Sequence, residues 1–437
     1  MNHRHAPHFS FLAGKGMAVL LAVLFLAGCG ALGDRAASAP EAAATAASAD
    51  AYLMRARTQT GMQDGVTVRA SVLRPLESAA HFGLQLEDKG VQPVWLEIEN
   101  RGNRPYWLMR SFMDDSYYAP REVARLFHGQ TAPDVLQAAE RQLIEGAIRL
   151  HVPAGQTVKG FVYTRVDRGF KLMNVELLGL GKVLRFDLAE ELPGDGFDFR
   201  ASRLQRAQRH ATQRTVALPE LAQALRTMPC CTTDAAGTGQ GDPLNIALVG
   251  EENDVLIALD RSGWDFTETI NADSVTHMAS AFAFGRAYRN SPVSPLYFKG
   301  QPQDLAMQRA RADISQRGHL RLWLTSLRIT GQPVWIGQIS RDIGVKLTTL
   351  SKTLTTHVID PQVDHARFRL LETLLRNGHV ERWGYVGGVG AASRGAPRTN
   401  LTQDPYFTDG ERLVVFITRT PQAMDSARYI QWEVPGR

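Results

Sequence analysis

The sequence predicts an α+β protein, with an N-terminal antiparallel β-sandwich of immunoglobulin-like kind followed by a mixed α/β domain. Three observations predict it. Short runs alternating apolar and polar residues, separated by turn residues, fill the first half after a leader. One stretch of helical spacing interrupts that series. Beyond about residue 242, strand and helix patterns mix without strict alternation.

The leader comes first. Arg4 and Lys15 precede an unbroken apolar run, Met17 to Ala27, which has the length of a secretory h-region and is too short to remain as a membrane-spanning helix. The run ends in Leu26-Ala27-Gly28-Cys29, small residues before a thiol. This resembles the lipobox of bacterial lipoproteins. The resemblance implies removal of residues 1–28, lipid on Cys29 and anchoring of the mature chain to a membrane by several acyl chains. Gly30 stands where an Asp would imply retention on the inner membrane, so the resemblance implies an outer-membrane lipoprotein facing the periplasm or the exterior. Residues 29–57 are rich in Ala and Ser and read as a tether.

The rest of the chain is long enough for two or three domains and carries no further apolar stretch of membrane-spanning length. A net charge of +5 is spread thinly, with no Arg or Lys block beside aromatic residues, which excludes nucleic acid as the expected partner.

Residues 58–196 form the expected sandwich. Val66–Val72 alternates, and Val94–Glu99 puts Val94, Leu96 and Ile98 on one face with Trp95, Glu97 and Glu99 on the other. Further strands are expected at Ile148–Val152, Gly160–Val166 and Val183–Leu188, with turns at Asn100–Asn103 and Pro153–Gly155. The helical insertion covers about Glu122–Gly146. Residues 197–241 read as a basic helical connection, Arg200 to Arg214 and then Leu218–Leu225, leading to Cys230-Cys231. Adjacent cysteines in an oxidising compartment close a strained vicinal disulfide, remain thiols, or pair with another chain; the sequence leaves the three open.

In residues 242–437 a buried strand, Leu244–Val249, leads into a helix over Asn253–Ser262, and a second helix is expected over Ala272–Tyr288. Strands follow near Leu296–Gly300, Leu320–Leu327, Val334–Ile339, Glu381–Val386 and Leu413–Thr418, with a helix over Pro361–Asn377 stopped by Gly378. Several ordered motifs lie here: Pro243-Leu-Asn-Ile-Ala-Leu-Val-Gly250, Ser291-Pro-Val-Ser-Pro-Leu-Tyr297, Gln301-Pro-Gln-Asp304, His319-Leu-Arg-Leu-Trp323, Pro333-Val-Trp-Ile-Gly337, Ser340-Arg-Asp342, Thr356-His-Val-Ile-Asp-Pro361 and Asp404-Pro-Tyr-Phe-Thr-Asp-Gly410. Over roughly residues 242–418 they resemble the LssY C-terminal domain. In some relatives that domain follows a phosphatidic-acid-phosphatase-type membrane unit. No Pro-Ser-Gly-His phosphatase motif stands in this sequence, so the resemblance implies an architecture and an envelope setting but no reaction.

The candidate chemistry is concentrated in the same region. In His319–Thr325, Leu320, Leu322 and Leu324 point one way, while His319, Arg321, Trp323 and Thr325 line the other face. That face suits an acid/base or ligand, an anion clamp and a stacking floor, or a half-exposed sheet face on which Arg packs against Trp. Asp360 and Pro361 read as the cap and first position of the long helix, and Asp364 as a carboxylate in its first turn. With His319 and His357 as candidate metal ligands, Asp360 or Asp364 would complete the donor set of a metal-assisted hydrolase. Arg341, Asp342 and Asp404 are further candidates, either in the site or as an ion network that fixes the fold. Gly387–Arg394 reads as a flexible loop, because Gly395 and Pro397 stand where a phosphate-cradling loop needs a helix. Two functions are expected in this order: a membrane-anchored envelope lipoprotein that binds a ligand or protein partner, and an envelope hydrolase using His319, Arg321, His357 and the nearby aspartates. No cofactor is identifiable.

Overall fold

Among the described residues the first half forms eight strands: β1 (Gln59–Gln63), β2 (Val66–Val72), β3 (Val91–Asn100), β4 (Tyr106–Leu108), β5 (His151–Val152), β6 (Thr157–Arg165), β7 (Phe170–Gly179) and β8 (Lys182–Glu191). The structure, a computed structural model, describes residues 54–192, 208, 212–267, 293–310, 317–347 and 355–432, without the side chains of 310, 345, 347 and 355–357. The leader, the lipobox with Cys29, most of the tether, much of the basic connection and the helix expected over Ala272–Tyr288 lie outside the described residues.

The strands make two four-stranded antiparallel sheets, β1-β2-β3-β6 and β5-β4-β7-β8. The alternation in β3 emerges as expected: Val94, Leu96 and Ile98 join one core with Val66, Val68, Val175, Leu177 and Phe186. Helix α1 covers Pro75–Phe82. The expected single helical insertion is two helices, α2 (Pro120–Arg125) and α3 (Pro133–Gly146), each with proline in its first turn where no N–H is needed. The strand expected at Ile148–Val152 shortens to β5. The backbone at Gly146–Ile148 runs against β6 so closely that a Cβ on Gly160 would lie 2.6 Å from the Gly146 carbonyl oxygen. Arg57, read as tether, belongs to the fold, pairing with Glu77 at 2.8 Å and Glu190 at 3.2 Å.

Strand β7 escaped the pattern reading because both its faces are covered. Met173, Val175 and Leu177 enter the first core, while Phe170 and Leu172 enter the core of the second half. Glu176 on that second face binds Arg261 at 3.0 Å, and Arg261 also binds Asp187 at 3.1 Å. A strand buried on two sides loses the period-two signal. These contacts join the two halves, and residues 50–437 form one compact unit.

The second half contains β9 (Arg214–Thr215), α4 (Leu218–Thr227), β10 (Cys231–Thr233), β11 (Gln240–Pro243), β12 (Ile246–Val249), α5 (Glu252–Arg261), β13 (Asp265–Phe266), β14 (Tyr297–Phe298), β15 (Gln301–Pro302), β16 (Leu305–Ala310), β17 (Arg317–Ile329), β18 (Gln332–Leu347) and β19 (Thr355–Ile359). It continues with α6 (Asp364–Arg376), β20 (Val380–Gly387), β21 (Arg398–Thr399), β22 (Pro405–Tyr406), β23 (Glu411–Ile417) and β24 (Arg428–Ile430). A mixed sheet runs β13-β16-β17-β18-β12-β23-β20-β24, with β19 paired to β18 and β9 to β17. Its pairs β12–β23, β20–β24 and β9–β17 are parallel. On one face Ile246, Leu248, Leu320, Leu322, Trp335 and Leu413 pack under α5 and α6. On the other, Ala247, Val249, Trp323, Ile336 and Phe416 pack with Leu221 and Leu225 of α4.

Strands β17 and β18 run well past the apolar segments that announced them. Thr330 (φ 50) and Gly331 (φ 81) close the hairpin, whose tight turn needs two positive φ angles. The extra length is built of polar residues that are buried together, which hydrophobic patterning cannot detect. The expected helix start is also corrected. Helix α6 opens at Asp364 with Val363 at its N-cap, so Asp360 is not the cap and Pro361 not the first residue. The Asp360 carboxylate instead accepts from Gln362 N at 3.0 Å, and the Pro361 carbonyl accepts from Phe407 N at 2.8 Å, which holds this segment outside the helix. Among the described residues no helix is long and apolar enough to cross a membrane.

Candidate functional site

The long strands place two polar arrangements on opposite faces of one sheet. The register aligns Gln308, His319 and Ser340 across β16, β17 and β18, and on the next rung Arg309, Gly318 and Arg341. Successive strand residues point to opposite faces, so neighbouring rungs serve different surroundings.

On the face of the 308–319–340 rung, polar side chains are sealed in. His319 and Arg321 are each 7% exposed and Asp342 is 2% exposed, so this is not the half-exposed face that the sequence suggested. His319 Nε2 lies 2.5 Å from Asp342 Oδ2, and Arg317 Nε stands 3.6 Å from the same oxygen. Arg317 donates to Gln308 Oε1 at 3.0 Å. Arg321 donates to Gln338 Oε1 at 2.8 Å and to the Ser294 carbonyl at 3.0 Å, and Gln338 passes a bond to Ser340 Oγ at 2.9 Å. Burial, with the charges of Arg317 and Arg321, pushes the His319 imidazole well below its usual range. A neutral ring bonded to a carboxylate through Nε2 carries its proton there. The arrangement is a fixed His–Asp pair with two guanidinium groups beside it. Arg321 is itself lowered by burial, against the opposing charges of Asp242 and Asp342. Burial raises the Asp242 carboxyl; the Asn400 hydrogen bond at 2.9 Å and Arg321 oppose the shift, and Asp342 and Asp404 add to it.

Trp323 and Thr325 complete this face without forming a stacking floor. Trp323 is buried against Phe298 and donates to the Gln301 carbonyl at 3.1 Å, and Thr325 Oγ1 donates to the Val334 carbonyl at 2.7 Å. Asp404 adjoins this network through Asn400, whose Oδ1 accepts from Asp404 N at 2.9 Å, and its own carboxylate accepts from Lys346 Nζ at 2.5 Å and Thr402 Oγ1 at 2.8 Å.

The remaining candidates stand elsewhere. Asp364 is buried at the start of α6, where it accepts from Thr408 Oγ1 and Asp409 N, both at 2.8 Å. Asp360 lies 3.4 Å from His365 Nδ1. His357 is in β19 opposite Val345, and its ring is outside the described side chains. His319 is opposite Ser340, five residues away along β18, or roughly 16 Å of extended chain. Among the described residues no three His, Cys, Asp or Glu side chains are grouped to hold a metal ion.

Arg341 lines the other face. There a groove runs between α6 and the sheet, bordered by Trp264, Arg309, Gly318, Ile339, Arg341 and Leu370 at one end and by Phe368, Arg369 and Arg376 at the other. His365, Arg369, Glu372 and Arg376 fall at helical spacing along one side of α6.

Sequence reasoning missed Arg367 and Arg412, both fully buried. Arg367 binds Asp409 and the Glu411 carbonyl and lies 3.4 Å from Asp364. Arg412 binds the Leu244 carbonyl at 2.7 Å and those of Leu225 and Pro229, which fixes the end of α4 beside the cysteines. Burial pushes the Arg412 guanidinium down to about 10. Cys230 and Cys231 are joined as a vicinal disulfide, with Gln240 Nε2 at 2.9 and 3.3 Å from the two sulfurs. Their adjacency was the signal for the bond, one of three outcomes that the sequence left open; the buried arginines left none, because an isolated Arg in a strand or on a helix reads as solvent-facing.

Helices thus cover both faces of the long mixed sheet in a three-layer arrangement, and the family model of the LssY C-terminus matches residues 222–411. Residues 222–411 are an LssY C-terminal-like domain. Its LssY match begins inside α4, earlier than the motifs near residue 242 suggested, and so takes in the Cys230–Cys231 bond. The LssY match ends at the first residue of β23, before the parallel partner of β12 is complete. Among curated proteins nothing matches this chain.

Proposed function

We propose that the protein is a lipoprotein of the cell envelope, held at the outer membrane through lipid on Cys29, whose LssY C-terminal domain binds a ligand. In this reading the two N-terminal sheets are an immunoglobulin-like sandwich serving as a spacer. The observation that carries the binding function is the contrast between the two faces of β17 and β18. His319, Arg321 and Asp342 direct their hydrogen bonds into the fold, whereas Arg341, Arg369 and Arg376 border an open groove. Groups closed into a buried network hold a sheet together; a groove rimmed by cations receives a ligand.

The second reading, an envelope hydrolase, is favoured by the 2.5 Å His319–Asp342 pair, since a neutral imidazole oriented by a carboxylate is the form of a general base. One experiment separates the two. His319→Ala in the full chain lowers stability and leaves ligand affinity within a few-fold under the binding reading. Loss of a hydrolytic activity, together with a stoichiometric metal in elemental analysis of the parent protein, would instead establish the hydrolase. The address has its own test: mass spectrometry of protein recovered from cells finds diacylglycerol on Cys29, and an intact amino terminus or an unmodified thiol sinks the anchor.

A further inference from the structure

The groove has a construction that narrows its ligand. On the rung Arg309–Gly318–Arg341 the central strand contributes no side chain, so two arginines two strands apart flank a gap. Neighbouring strands lie about 4.8 Å apart, which puts their backbones on the order of 10 Å apart. The Trp264 ring packs into that gap, 3.1 Å from where a Cβ on Gly318 would stand, so that a larger residue there would displace it. Helix α6 forms the wall, bringing Arg369 to the rung and Arg376 farther along. Among the described residues Arg341, Arg369 and Arg376 make no ion pair, although Glu372 stands among them.

Like charges gathered at one place repel, and folding gains nothing by converging them. A polyvalent anion turns that repulsion into binding, because guanidinium forks match phosphate oxygens two at a time. The groove also has an apolar end. Ile339 and Leu370 line it beside Trp264, which is 4% exposed and whose indole Nε1 has no hydrogen-bond partner among the described residues.

We infer that this groove binds a phosphate group carried on an apolar body, the phosphate between Arg341 and Arg369 and the apolar part on Trp264, Ile339 and Leu370. The inference rests on the reading of this domain as a binding module and specifies its ligand class. Inorganic phosphate, hexyl phosphate and hexanol, titrated calorimetrically into the full chain at low ionic strength, test it. Hexyl phosphate is expected to bind at least tenfold more tightly than phosphate, hexanol not to bind, and Arg369→Gln to weaken hexyl phosphate at least tenfold. Arg369 is exposed, so that variant keeps the test valid if Arg341→Gln fails to fold. Equal affinity for phosphate and hexyl phosphate overturns the apolar half of the proposal. Absence of binding by both, or binding unchanged in Arg369→Gln, overturns it entirely. Release of hexanol from hexyl phosphate would overturn the binding-module reading while leaving the ligand class in place.

Discussion

His319 was singled out because it alternates with three leucines, and its surroundings give it a measurable signature. In the folded chain burial, Arg317 and Arg321 keep its ring neutral, whereas in the unfolded chain the ring takes up a proton near pH 6.5. The unfolded state then binds more protons, so this residue's contribution is fully present above about pH 6.5 and is lost as the pH falls below it. His81 and His379 are also lowered by burial and add to the same trend, so the comparison is made against a variant. Urea midpoints of the parent protein should fall more steeply from pH 7.5 to 5.5 than those of His319→Asn. Parallel slopes would mean that the ring is charged in the fold.

Helix α6 tests how far local rules fix an element. Asp-Pro at 360–361 has the chemistry of a helix start, yet the carboxylate that matters is Asp364, four residues on. Asp364 accepts two hydrogen bonds from the 408–409 turn in a buried setting, whereas Asp360 is partly exposed and closes only a local turn. Removing a buried acceptor leaves donors unsatisfied, so Asp364→Ala should cost about 1–3 kcal/mol. Asp360→Ala should cost less than about 1 kcal/mol, contrary to what a cap would require. Chemical denaturation of the two variants reads the order, and a reversed order would restore Asp360 as the cap. The same limit of local reasoning explains β17 and β18: their apolar middles were legible, and their polar extensions were not. Arg317, His319 and Asp342 become strand residues only because they satisfy one another across the register.

Taken as a whole, the molecule is tied together at β7. Leu172 leaves the sheet of the first half and enters the core under α5 and α6, and Arg261 of α5 reaches back to Glu176 and Asp187. Leu172→Ala should therefore destabilise by about 2–5 kcal/mol. Calorimetry should show one transition for both halves of the parent protein, shifted together by the substitution. Two transitions, of which only the earlier moved, would make the halves independent.

Apolar runs placed central strands such as β2, β3, β6, β8, β12, β17, β18, β20 and β23, because a strand that meets a core must carry apolar residues there, while β7 and the short peripheral strands left no such pattern. Ordered motifs fixed the LssY C-terminal domain, because they depend on residue order alone. The functional candidates divided along another line. The residue types at 319, 321, 341 and 342 were plain in the sequence, but whether each is sealed in or open follows from which face of a long sheet it takes. The Arg309–Gly318–Arg341 rung joins three strands, and its groove is closed by a helix more than twenty residues further along the chain. Contacts of that range depend on strand register and on the packing of the layers, and neither leaves a local period for the sequence to reveal.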